Sequence, residues 1–289
     1  MAQRSATRRK FLAGVLGGAG SLAGCVGRGS QASDTGSQKT EQGAFETSTP
    51  SVFTDLHFDG AALVVTLREE HTVERVNLID PEGRLFRQAD LSAGVTTVQL
   101  PVLDIEPGLG GYEHYIPGTH EVIAVAGEER YSTTVELQPA LQVTDVAQYR
   151  DGDSPTDYGK LVVTVANTGS APTWVYDVAY AGSPNFAANE KVSDGPGVPL
   201  LEYPTKEREL LIASGEKQRY VGSSAPVLLS SDESSGCEGE TYEFTVSVGT
   251  AIGDVLTSSV QVTVGGELES AGMGGAHTCS NLSVSNQSE

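Results

Sequence analysis

The chain has 289 residues, with 38 acidic residues against 18 Lys and Arg and a formal charge of −20. That balance excludes nucleic-acid binding, which draws its affinity from clustered Lys and Arg. Aromatic residues make up 6% of the chain and Trp174 is the single tryptophan, so a core has to be built mainly from Val, Leu, Ile and Ala.

The N-terminus reads Thr7-Arg8-Arg9-Lys10-Phe11-Leu12, followed by an apolar, glycine-rich run to Gly24 and then Cys25. A basic segment, a short apolar segment and small residues in that order predict an export signal over residues 1–24 rather than a fold element. The run Phe11–Gly24 holds 14 residues, five of them glycine. A spanning helix needs about 20 apolar residues. Thr7 to Leu12, with Arg8, Arg9, Phe11 and Leu12 at its centre, resembles the twin-arginine translocation signal. Leu22-Ala23-Gly24-Cys25 resembles the lipobox of bacterial and archaeal lipoproteins. The resemblance implies export of the folded chain by the twin-arginine translocase, removal of residues 1–24 and a covalent lipid on Cys25. The expected location is the cell membrane, with the protein lipid-anchored on its extracellular face.

Residues 1–24 carry four basic residues and no acid, so the processed chain would hold a formal −24. Like charges strain a compact state by self-repulsion unless salt screens them. At molar salt the screening length is about 3 Å. An acid-rich, lysine-poor exported chain of this kind resembles the proteins of haloarchaea, and the scatter of its acids fits an environmental cause.

Residues 25–50 are rich in Gly, Ser, Thr and Gln and show no apolar period. They predict a flexible linker with a root-mean-square reach of roughly 25–30 Å. From Ser51 the pattern turns to short runs alternating apolar and polar residues, separated by turn signals such as Asp59-Gly60, Pro81-Glu82-Gly83 and Pro117-Gly118. Seven runs, from Val52–Phe58 to Tyr131–Leu137, predict a first β-sandwich over residues 51–139. Tyr115 to Val122 resembles the turn into a late strand of immunoglobulin-like domains.

A second sandwich is expected over residues 140–265, with strands from Leu141–Tyr149 to Val255–Val264. Leu161 to Pro172, containing Asn167-Thr168-Gly169, resembles a strand and turn of the cell-adhesion-related immunoglobulin-like modules of prokaryotic surfaces. Ser214-Gly215-Glu216 falls where that family starts a further strand. The departure from the family is a long insertion, Gly182 to Lys206, read as a structureless loop; such loops are uncommon without a role. Residues 266–289 read as a Gly/Ser-rich tail. The expected fold class is therefore all-β, with two immunoglobulin-like β-sandwich modules after a cleaved signal and a flexible linker.

Candidate chemistry is sparse. If Cys25 is lipidated, Cys237 and Cys279 remain as a possible disulfide in an oxidising compartment; two free thiols, or a metal site with His277, are the other readings. Asp151, Asp153 and Asp157 share a short loop and could offer oxygen ligands to calcium, although without the spacing of an EF-hand. In so acidic a chain a solvated loop is the stronger reading, so no metal site and no cofactor beyond the Cys25 lipid are expected. His57, His71, His114, His120 and His277 are dispersed and read as exposed strand and loop histidines. Asn281 and Asn286 begin glycosylation sequons.

Gly-x-Ser-x-Gly, His-Glu-x-x-His and phosphate-loop motifs are absent from the processed sequence. Paired carboxylates for glycoside hydrolysis stay open, because spacing in sequence says little about spacing in space. The sequence reads best as a non-enzymatic binding, adhesion or envelope-assembly component meeting an envelope protein or glycan. An envelope hydrolase, or an accessory subunit of a membrane transporter or redox complex, is the alternative.

Overall fold

The computed structural model describes residues 51–104, 113–150, 157–196, 199–230, 236–271 and 275–287. The fold is all-β. The first half contributes β1 (Phe53–Asp59), β2 (Ala62–Leu67), β3 (Arg75–Ile79), β4 (Leu85–Asp90), β5 (Thr97–Pro101), β6 (Leu103–Asp104), β7 (Glu113–His114), β8 (Gly118–Ala126) and β9 (Glu129–Leu137). They form one sheet in the order β1-β2-β5, a second in the order β4-β3-β8-β9, and a β6-β7 ribbon. Gly60 and Gly127 turn the β1-β2 and β8-β9 hairpins at φ values of 56° and 60°, a region that glycine enters without strain.

Period-two alternation sends Leu63, Val65 and Leu100 from one sheet against Val76, Leu78, Val122 and Ala124 from the other. All seven are fully buried. Burying one such side chain contributes about 1.5–3 kcal/mol relative to leaving it exposed.

The second half contributes β10 (Leu141–Gln148), β11 (Leu161–Asn167), β12 (Thr173–Ala181), β13 (Leu201–Tyr203), β14 (Leu211–Ile212), β15 (Lys217–Gly222), β16 (Glu238–Thr250), β17 (Val255–Ser270) and β18 (His277–Gln287). A β10-β11-β15-β13 sheet packs on a β14-β12-β16-β17-β18 sheet. Leu161, Val163, Val165 and Tyr220 meet Val178, Tyr180, Val246, Val260 and Val262 in the core between them.

The sheets divide at the expected boundary near residue 140, but the cores do not. Residues 49–289 form one compact unit. The first core continues into the second half through Ala171, Trp174, Tyr176, Leu210 and Ala251. A register shift between Val175 and Asp177 in the β12–β16 pairing supplies the geometry. The bulge lets one strand send Trp174 and Tyr176 to the first core and Val175, Val178 and Tyr180 to the second. The sole tryptophan is thus fully buried at the junction.

The Asn167-Thr168-Gly169 turn is a hub of hydrogen bonds. The buried Asn167 accepts from the backbone N–H of Ala140 (3.2 Å) and of Gly169 (3.0 Å) and donates to the carbonyls of Ala171 (2.8 Å) and Ile212 (3.2 Å). Its backbone bonds to Gly215 and Glu216, so Ser214-Gly215-Glu216 docks on the same residue. A Cβ on Gly169 would lie 2.2 Å from the Gln138 carbonyl oxygen, so no other residue fits that approach.

Two expectations change. The segment read as a Gly/Ser-rich tail contains β18, an eleven-residue strand paired with β17 from Ser259–Gln287 to Ser270–His277. Its apolar positions are few, which hid the strand, but Leu282 and Cys279 fill the second core. The insertion between Gly182 and Lys206 is also structured, with a 3-10 turn at Phe186–Ala188 and β13 on the edge of a sheet.

Candidate functional site

The insertion begins at the end of β12 and folds back on it. Asn189 pairs with Tyr180, and Leu200 with Asp177, as parallel bridges. Side-chain amides build the loop from within. Asn189 accepts from the Ser183 N–H (2.8 Å) and donates to the carbonyls of Ser183 (3.0 Å) and Asn185 (3.2 Å). Asn185 donates to the Ala225 carbonyl (2.8 Å) and caps the 3-10 turn by accepting from the Ala187 N–H (3.1 Å). Lower in the loop, the Ser193 N–H donates to Asp177 (2.9 Å) and the Tyr176 hydroxyl donates to the Ser193 carbonyl (3.0 Å).

This scaffold holds Phe186 at its crest, 90% exposed. An ordered turn that presents a bare aromatic ring supplies contact area at low conformational cost, as the anchors of protein interfaces do.

A concave feature lies elsewhere. A groove of about 580 Å³ runs between β1 and β9, the facing edges of the first sandwich, and is lined by Leu56, Phe58, Leu63 and Val135 together with His57 and Glu136. Ser170, Ala213 and Ser214 from the second half close one end. His57 Nδ1 lies 2.7 Å from Asp55 Oδ2, and both side chains are more than half exposed. That dyad resembles the base and orienting carboxylate of a hydrolytic triad. The serines do not complete it: Ser170 Oγ donates to the Glu136 carbonyl (2.8 Å) and Ser214 Oγ to the Gly169 carbonyl (2.5 Å).

Several residues singled out in the sequence lie outside the described residues: Arg8, Arg9, Phe11, Leu12, Leu22, Ala23, Gly24, Cys25, Asp151 and Asp153. Asp157 is described, and its carbonyl accepts from the Lys160 N–H. Among the described residues no three His, Cys, Asp or Glu side chains converge as metal ligands. Cys237 and Cys279 are joined as a disulfide with a Cα–Cα separation of 5.5 Å. Asn281 and Asn286 lie on β18 with exposed side chains, and Ser283 is exposed beside Asn281.

The histidines correct the expectation of exposed positions. His120 and His277 are buried, because β8 and β18 turn those positions into the cores. His120 Nδ1 donates to the Gly118 carbonyl (3.1 Å) between the rings of Phe86 and Tyr115. Burial holds its pKa below the usual histidine value, against the pull of the Gly118 carbonyl and the Asp80 carboxylate. His114 reaches Thr173 Oγ1 at 3.1 Å with Nε2 and the Tyr115 carbonyl at 2.6 Å with Nδ1. Its pKa too is lowered by burial, which outweighs the opposing effect of that carbonyl.

Asp80 was not marked by any sequence motif. Burial would raise its pKa, but the Arg84 backbone N–H and guanidinium and the Glu82 N–H hold it below the usual carboxylate value. The Pro81-Glu82-Gly83 turn was legible, but the place of the Asp80 carboxylate inside it was not.

No protein-family model and no curated protein matches the chain. Among solved structures, a β-glucuronidase from glycoside hydrolase family 2 matches at 11% identity and a TM-score of 0.22, over 76% of this chain and 20% of that one. The chain thus spans about a fifth of the length of that enzyme.

Proposed function

We propose that the protein is a lipid-anchored component of the cell surface that binds an envelope protein or glycan without chemical transformation. The observation that carries the reading is the hydrogen-bonded turn of the insertion, with Phe186 exposed on it. The N-terminal motifs support the address: export by the twin-arginine translocase, then lipidation at Cys25 on the extracellular face of the membrane. The acid-rich composition supports strong brine as the setting.

Mass spectrometry of membrane-extracted protein tests the anchor. Loss of residues 1–24 and an added lipid mass on Cys25 are expected, and an intact N-terminus overturns it. Binding of the purified protein to isolated envelopes tests the rest. Phe186→Ala is expected to weaken binding about tenfold, the loss typical of an anchor residue. Equal binding by the variant would overturn the role of the insertion.

The envelope hydrolase is carried by a different observation, the Asp55–His57 pair, whose histidine lines the groove. Hydrolysis of envelope polysaccharide or peptide that disappears in His57→Ala would favour it over a binding role.

A further inference from the structure

The groove between β1 and β9 has the form of a strand-binding site. Each flanking strand has a single ladder partner among the described residues, β2 for β1 and β8 for β9, so both present an open edge. The orientation of the β9 edge can be read from its end. The Glu136 carbonyl points out of the sheet, where it accepts from Ser170 Oγ, and Gln138 bonds to Ser170 in the same direction. Main-chain groups alternate sides along a strand, and the β8–β9 register runs without a bulge. The N–H and C=O groups of Thr134, which lines the groove, and of Ser132 farther along the same edge therefore face outward as well.

Ser170 occupies the last outward position, so the edge is already capped at the end nearest the second half and, among the described residues, has no ladder partner along the rest. The walls are apolar at Leu56, Phe58 and Val135, and Leu63 forms the floor. Glu136 on β9 is the charged lining residue and, among the described residues, no Lys or Arg lines the groove; Asp55 and Asp59 are exposed on β1, at alternate positions to the lining residue His57.

We infer that this groove takes an extended segment of a partner protein. The segment pairs its backbone with the outward edge of β9, sets alternate apolar side chains against Leu56, Phe58 and Val135, and carries basic residues toward Glu136 and the Asp55 side. Strand addition of this kind draws affinity from main-chain hydrogen bonds and specificity from the pockets under alternate residues. Glu136 in the lining, with Asp55 and Asp59 exposed on β1, selects a basic strand and repels the edges of other copies of this acidic chain. The groove is separate from the insertion, so the inference stands or falls independently of Phe186.

The probe is a blocked peptide of about seven residues alternating valine and lysine, with its glutamate counterpart as control. Both are titrated at the lowest salt at which the protein stays folded. The lysine peptide is expected to bind and to slow amide exchange at Ser132 and Thr134. Thr134→Pro removes an outward N–H without touching the β8 ladder, and it should weaken binding about five- to tenfold. Should that variant fold poorly, Glu136→Lys on the exposed rim gives the same direction of change. The inference is overturned by no binding, by binding without slowed exchange, by equal binding of the glutamate peptide, or by full affinity in a folded Thr134→Pro or Glu136→Lys protein.

Discussion

Tyr115 donates its phenolic proton to the carbonyl of Pro172 at 2.6 Å, across the junction of the two sandwiches and 57 residues away in sequence. Both partners are buried, and the contact sits beside the shared core that holds Trp174. Tyr115→Phe leaves the Pro172 carbonyl without its donor, at a cost of about 1–3 kcal/mol. Urea unfolding should show a lower midpoint and one transition for both halves. Two separated transitions in the wild type would contradict a core that crosses the boundary.

Asn167 predicts a larger loss. Asn167→Asp keeps the acceptor used by Ala140 and Gly169 but removes the two N–H bonds to Ala171 and Ile212 and buries a charge. Breaking a buried network in this way costs about 3–5 kcal/mol. Thermal unfolding should fall sharply, and more steeply above the aspartate pKa than below it.

Acid should loosen the junction. His114 and His120 have folded-state pKa values below the ordinary histidine value of about 6.5. Above about pH 7 both are neutral in either state and add no pH dependence. As pH falls through about 6.5, the unfolded chain takes up protons that the folded protein refuses, so stability is lost until the folded values are passed. Denaturation at stepped pH should show this loss, and His114→Gln should reduce it.

The Cys237–Cys279 bridge closes a loop of sequence separation 42. On the chain-entropy account, opening it costs about 4 kcal/mol. Cys237→Ser with Cys279→Ser should lower the urea midpoint and speed amide exchange first along β18. An unchanged midpoint would mean that the β17–β18 ladder holds that strand unaided.

Salt should act on the whole molecule. Raising KCl from about 0.1 M to about 1 M shortens the screening length from about 10 Å to about 3 Å. The melting temperature should rise with it. A flat response would remove the argument that the acidity reflects strong brine.

Much of the fold was legible because alternation and turn chemistry are local. Val162 to Ala166, the Asn167-Thr168-Gly169 turn and the hairpin glycines each declare their conformation within a few residues. β18 escaped because its register depends on pairing with β17, and its Ser, Asn and Thr positions carry no apolar period. The insertion escaped because Asn185 and Asn189 act through partners as distant as Ala225.

The sequence by itself determined the β character, most of the strands along the chain, the acidic composition and the export and lipid motifs, since all are written in neighbouring residues or in composition. Only the tertiary structure decided that Trp174 and Tyr176 belong to the first core and Val178 and Tyr180 to the second. It also decided that β1 and β9 leave a groove, and that Phe186 stands clear of the surface. Each of these depends on where a strand edge or a bulge faces in space, and that is fixed by which distant segment packs against it.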